Sequence, residues 1–123
     1  MLAVDKMSRT PIYEQIVDGV KREIITGLLK ERDQLPSIRE LSVLLSTNPN
    51  TVQKAFVELD RAGIIVSTPG RGCFVAEGAI EKIRESLSNK IEEIKELTRM
   101  LVNAGVDENA VIEAVRSVYK ANN

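Results

Sequence analysis

A chain of 123 residues with 43% apolar and 28% charged side chains is sized for one small domain plus an appendage, with material for a modest core. Seventeen Lys and Arg nearly balance eighteen Asp and Glu, and the net charge of −1 supplies no bulk attraction to nucleic acid. No His and one Cys exclude a zinc site and an intrachain disulfide, while two Tyr, two Phe and no Trp argue against a base-stacking binder of RNA or single strands.

Residues 1–9 read as an extended lead-in without a signal-peptide plan, and no apolar run is long enough to span a bilayer. A cytoplasmic protein with no membrane partner is therefore expected, as the lone Cys also suggests. Thr10 and Pro11 then open a helix as N-cap and first helical position. Ile12, Ile16, Val20 and Ile24 recur every four residues along it, and Gly27 closes it. Residues 28–36 form a connection, with Asp33 as a good turn residue.

The next stretch holds two helix starts. Ser37 followed by Glu40 is a capping box, in which hydroxyl and carboxylate each reach the other residue's amide. Leu41, Leu44 and Leu45 give this helix a short apolar stripe, and it ends near Ser46-Thr47. Asn48-Pro49 opens the following helix, whose Val52, Ala55, Phe56 and Leu59 fall at i, i+3, i+4 and i+7 on one buried face. Gly63 is its left-handed stop. Two short helices joined by a three- or four-residue turn make a helix-turn-helix. Asn48, Asn50, Thr51, Gln53 and Lys54 crowd the N-terminal half of the second helix, the end that a recognition helix points at base edges. Asn and Gln suit bidentate contacts to adenine, and Lys suits guanine or phosphate, although Asn48 is first of all a cap. Glu58 and Arg61 are expected to be structural or solvated.

Residues 64–68, Pro69-Gly70-Arg71-Gly72 and residues 73–76 then read as strand, turn and strand, a hairpin wing with Gly70 in its turn and Arg71 at its tip. Such an Arg can enter a narrow minor groove or clamp a phosphate. Cys73 is expected to be a small strand residue rather than a redox switch.

From Ala79 onward Ile80, Ile83, Leu87, Ile91, Ile94, Leu97 and Leu101 are spaced 3, 4, 4, 3, 3 and 4, close to a heptad seam with a drift at Lys90. This predicts one helix of about 25 residues, ended by Gly105. Asp107 caps a last helix bearing Val111, Ala114, Val115, Val118 and Tyr119. The resulting hairpin has more apolar surface than so small a domain can cover, and a second copy of the chain is the expected partner. The fold expected is mostly α with a small β-hairpin: a winged helix-turn-helix over residues 1–76, then a short helical hairpin over 77–123 for dimerisation. The first holds ten Lys/Arg and nine Asp/Glu, so charge must be arranged by face.

Leu35-Pro36-Ser37-Ile38-Arg39-Glu40-Leu41, the Asn50-Thr51-Val52 helix start and Gly70-Arg71-Gly72-Cys73-Phe74-Val75 resemble the GntR family of bacterial transcription regulators. The segment Asn48 to Lys54 and the short tail look most like its YtrA subfamily. The resemblance covers residues 11–76 strongly and departs at Glu31-Arg32, where relatives usually carry Pro-Gly, and at Cys73, commonly Thr. It implies an operator contact for Arg39 and control of neighbouring transporter operons. It also implies that an effector, if one exists, binds in the dimer crevice, because about 45 residues leave little room for an enclosed pocket. The function expected is a homodimeric, sequence-specific regulator that occludes a palindromic operator in double-stranded DNA, without cofactor or metal. The alternative is a winged-helix protein-interaction module. An enzyme is not expected, since no nucleophile motif, phosphate loop or metal cluster is present.

Overall fold

The computed structural model describes residues 2–122. The elements run α1 (Ile12–Ile25), α2 (Ile38–Leu44), α3 (Pro49–Arg61), β1 (Ile65–Thr68), β2 (Gly72–Val75), α4 (Ala79–Ser86), α5 (Lys90–Asn103) and α6 (Glu108–Ala121). The chain divides into two compact units, Met1–Ser86 and Leu87–Asn123, so the boundary falls ten residues beyond the expected position after residue 76. No helix among the described residues is long and apolar enough to cross a membrane.

The first unit is three helices with a wing. Ile16, Val20 and Ile24 of α1, Leu41 and Leu45 of the α2 region, and Val52, Ala55, Phe56 and Leu59 of α3 converge with Ile65 and Val75 of the hairpin in one core. α1 starts one residue later than expected. Pro11 is its N-cap, with no side-chain cap, and Gln15 Nε2 donates instead to the carbonyls of Thr10 (2.8 Å) and Asp5 (2.9 Å). α2 spans seven residues, about two turns, and its apolar stripe is thinner than expected. Leu44 is 61% exposed, and Ser42 takes the buried place beside Leu41 and Leu45. Burial costs Ser42 little because its hydroxyl donates to the Arg39 carbonyl at 2.9 Å.

Both helix-turn-helix caps form as expected. The Ser37 hydroxyl accepts from the Glu40 amide at 3.0 Å, and the Glu40 carboxylate accepts from the Ser37 amide at 3.4 Å. The Asn48 side chain accepts from the Asn50 amide at 2.8 Å. Between them α2 ends in a Schellman turn: the Ser46 amide donates to the Val43 carbonyl and the Thr47 amide to that of Ser42. Ser46 holds φ +49°, the left-handed place usually given to Gly. α3 ends in the same motif, with Gly63 at φ +76° and the Ile64 amide on the Leu59 carbonyl.

The connection before α2 is more ordered than a turn. Arg32 donates its amide to the Val75 carbonyl, Val75 to that of Asp33, and Leu35 to that of Cys73, so the connection is tied to β2 around a single antiparallel bridge between Gln34 and Phe74. Where relatives place Pro-Gly, Arg32 adopts φ +76°, with the Asp33 carboxylate on the Lys30 amide holding the turn. The hairpin pairs Ile65 with Val75 through Thr68 with Gly72. Its Thr68-Pro69-Gly70-Arg71 turn closes with the Arg71 amide on the Thr68 carbonyl at 3.0 Å, and Gly70 at φ +76° gives it the signature of a type II turn.

The expected helix of about 25 residues is two helices, α4 and α5, separated by Leu87-Ser88-Asn89. Ser and Asn compete with the backbone for hydrogen bonds, and the break coincides with the drift in the heptad spacing. It also separates two destinations. Ala79 and Ile83 are buried in the core of the first unit, with Ile80 packed against it, so Ile80 and Ile83 belong to the winged helix and not to a pairing seam. In the second unit no residue of α5 or α6 is buried, and Ile91, Ile94, Leu97, Val115 and Val118 are exposed.

Candidate nucleic-acid interface

α3 presents two faces two turns long. Val52, Ala55, Phe56 and Leu59 face the core. Asn50, Gln53, Lys54 and Val57 repeat the same i, i+3, i+4, i+7 spacing half a turn away, and all four are exposed. The Pro49 start and the Asn48 cap fix where the helix begins, and hence which residues point outward. Thr51 is half-buried at the flank of this row, and Asn48, its side chain occupied as a cap, has its backbone at the edge. Val57 escaped the sequence reading. An apolar side chain on a polar row is a natural contact for a thymine methyl, and only the helix phase reveals it.

Two further pieces border this helix. Ser37 and Arg39 are exposed at the start of α2, where they share an open groove with Gln34, Phe56, Gly72 and Cys73. This brings the first turn of α2 and the base of the wing onto one side of the unit. Gln34, another residue missed from sequence, ties them together by donating Nε2 to the Arg71 carbonyl at 2.9 Å. Gly72 makes that possible. At φ +116°, a Cβ there would lie 2.7 Å from Gln34 Nε2. The Arg71 backbone is thereby held from both sides of the turn while its side chain stays exposed. Among the described residues neither Arg39 nor Arg71 makes an ion pair, which leaves both guanidinium groups available for phosphates or base edges.

Lys54 differs from them. Its ammonium stands 3.9 Å from the centroid of the Tyr13 ring, a cation–π contact from α3 to the first turn of α1. The Tyr13 hydroxyl donates to Glu14 at 3.2 Å. Partial burial first, then that hydrogen bond and the charges of Glu14 and Glu58, hold the phenol above its ordinary ionisation range. The Cys73 thiol lies 3.2 Å from the Ser67 hydroxyl in the wing.

A helix pair with a polar recognition row, a capped α2 and a wing anchored beside it is the arrangement of a winged helix-turn-helix. The family profile "Bacterial regulatory proteins, gntR family" matches residues 12–75, from the first turn of α1 to the end of the wing. The chain belongs to the GntR family. Within it, the HTH-type transcriptional repressor YtrA of Bacillus subtilis is 40% identical over 96% of this chain and 92% of its own length. The transcriptional antiterminator from Listeria monocytogenes EGD-e has a similar crystal structure. Its TM-score is 0.74 at 34% identity, over 98% of this chain and 90% of the other. AraR(DBD) in complex with operator ORX1 aligns with a TM-score of 0.56 at 26% identity, over 60% of this chain and 94% of the other. This GntR protein is therefore a YtrA-like transcription regulator.

Proposed function

We propose that this GntR protein is a homodimeric repressor that binds a palindromic operator and blocks a promoter by occupying it. The observation that carries the reading is the outward row Asn50, Gln53, Lys54 and Val57 on α3, with Arg39 and Arg71 at its sides and, among the described residues, without an ion pair. In this reading Gln53 and Asn50 contact base edges, Thr51 and the backbone at Asn48 approach phosphates, and Ser37 and Arg39 hold the flanking strand. Gly70 lets Arg71 reach a groove from the wing tip. The likeness to a YtrA repressor and to an operator-bound domain supports the assignment.

Dimerisation is proposed through the second unit. Leu87, Ile91, Ile94 and Leu97 are at least half exposed, and Leu101, Val115 and Val118 also present apolar surface. Val111 is half-buried within the hairpin. A hairpin with no buried residue cannot sustain itself on propensity, and pairing with a second copy supplies the missing burial. A two-fold dimer then matches a palindrome. A transporter operon as target and the cytoplasm as place of action belong to the same proposal, with an effector, if one exists, in the dimer crevice.

The test is fluorescence anisotropy on DNA from upstream of the protein's own gene, against a scrambled duplex, over a range of salt. Two chains per palindrome, with clear preference over scrambled DNA, is expected. A protein that binds no duplex even at low salt, genomic fragments included, is a protein-interaction module and the proposal fails.

A further inference from the structure

We infer that Tyr13 of α1 is a positioning residue for DNA binding: its ring fixes the Lys54 ammonium where it can meet a phosphate and not a base edge. The inference rests on the reading of α3 as the recognition helix. It goes beyond that reading by giving Lys54 a single task and by adding a residue outside the helix-turn-helix that controls it.

The chemistry follows from the surroundings of the side chain. A lysine on an exposed helix face has a flexible four-carbon stem and loses considerable rotamer freedom when it binds a phosphate. Here much of that ordering is already done, since the ammonium sits 3.9 Å from the ring centroid. The ring is itself fixed. Tyr13 is packed against the core of the first unit, and its hydroxyl is held by Glu14 at 3.2 Å. The face of the ring is electron-rich and attracts a cation. The ring also sets a direction. Lys54 is drawn to the side of α3 that meets α1, the same flank as half-buried Thr51, whereas Gln53 lies about 100° round the helix on the opposite flank. A base-reading residue needs its head over the groove floor, and Gln53 is free to take that place. A charge held at the seam between two helices is placed for the backbone that runs along the groove wall.

The groups near the ring leave Lys54 its charge for DNA. Glu14 is turned to the Tyr13 hydroxyl, Glu58 faces Tyr13 from the next turn of α3, and neither forms an ion pair with Lys54 among the described residues. A cation held over a ring face, without a carboxylate partner, can add a phosphate oxygen without first breaking an ion pair.

The test is a double-mutant cycle with Tyr13→Leu and Lys54→Ala, and Tyr13→Phe as the conservative control. It uses a duplex that the full-length wild-type protein selects from a random-sequence library. Lys54→Ala should weaken selected and scrambled duplexes by the same factor and lower the slope of log K against log salt by about 0.9, the signature of one lost phosphate contact. Tyr13→Leu should weaken binding roughly three- to fivefold and leave the slope unchanged, because the charge remains while its ordering is lost. Tyr13→Phe should bind as wild type. In the Lys54→Ala background, Tyr13→Leu should have no further effect, which a general loss of fold, monitored by thermal melting, would not reproduce. The inference is overturned if Tyr13→Leu weakens binding equally in both backgrounds, if it strengthens binding, or if Lys54→Ala changes base preference. Failure of the wild type to select any sequence would overturn the recognition reading itself, an outcome distinct from these.

Discussion

Ser46 offers a direct check on how the helix-turn-helix is held. It occupies the left-handed position of the Schellman turn between α2 and α3, with φ +49°, and its side chain is exposed. For an L-residue that conformation costs roughly 1–2 kcal/mol, somewhat less for a short polar side chain. Gly removes this strain but brings about 0.5–1 kcal/mol of extra unfolded-state freedom. The difference leaves Ser46→Gly more stable by about 0.5 kcal/mol, because Lys6 reaches the Ser46 carbonyl, which Gly retains. For a unit of this size that is about 2–4 °C in Tm. Ser46→Val should move the other way by about 1 kcal/mol or more, since a β-branched side chain tolerates positive φ poorly. Far-UV circular dichroism melts of the three proteins at one fixed concentration measure both. Operator affinity serves as a second readout and should not change for Ser46→Gly, because the turn geometry that sets α3 is kept. A fall in Tm for Ser46→Gly, or an unchanged Tm for Ser46→Val, would refute the assignment of strain to this turn.

Further outcomes follow from the same geometry. Ser37→Ala should lose about 1 kcal/mol by urea denaturation, the cost of a capping-box hydroxyl. Gly72→Ala forces a Cβ to 2.7 Å from Gln34 Nε2 at a φ of +116°, so the wing should lose its Gln34–Arg71 tie. The checks are lower Tm, about 1–2 kcal/mol less stability and weaker DNA binding with an otherwise intact helix content. Gln53→Ala should cost about 1–3 kcal/mol in specific binding and little on scrambled DNA, as anisotropy would show; equal binding to both by wild type and variant would remove Gln53 from the recognition face. Leu97→Asp and Ile83→Ala should separate the two units. The first should give monomers in analytical ultracentrifugation without unfolding residues 2–86. The second should cost about 2–5 kcal/mol of stability because Ile83 lies 2% exposed in the first core.

The legible part of this chain was its local chemistry. The capping box at Ser37, the Asn48-Pro49 start and the left-handed stop at Gly63 each depend on a few adjacent residues. The core stripe of α3 depends only on helical period, and its complement, the row Asn50, Gln53 and Lys54, follows from the same phase. That is why the fold and the family were readable before any coordinates.

What the sequence could not decide were the questions that distant residues settle. Ile80 and Ile83 continue the heptad rhythm of Ile91 and Ile94, and the drift at Lys90 does not say that they part, yet Ile83 closes the first core while Ile91 and Ile94 stay exposed. Periodicity records that a residue is apolar on one face; it does not say which surface that face will meet. Leu44 fits the apolar stripe by spacing and lies outside for the same reason, since the choice between Ser42 and Leu44 depends on how α2 rolls against its neighbours. The Gln34–Phe74 bridge, the Gln34 tie to the wing and the Tyr13–Lys54 contact join residues 37 to 41 positions apart, and each is a product of packing. Local sequence therefore determined the elements and the chemistry on α3, through caps and period. Tertiary structure alone decided which apolar residues share a core and which polar residues are held in place, because those free energies come from groups that only the fold brings together.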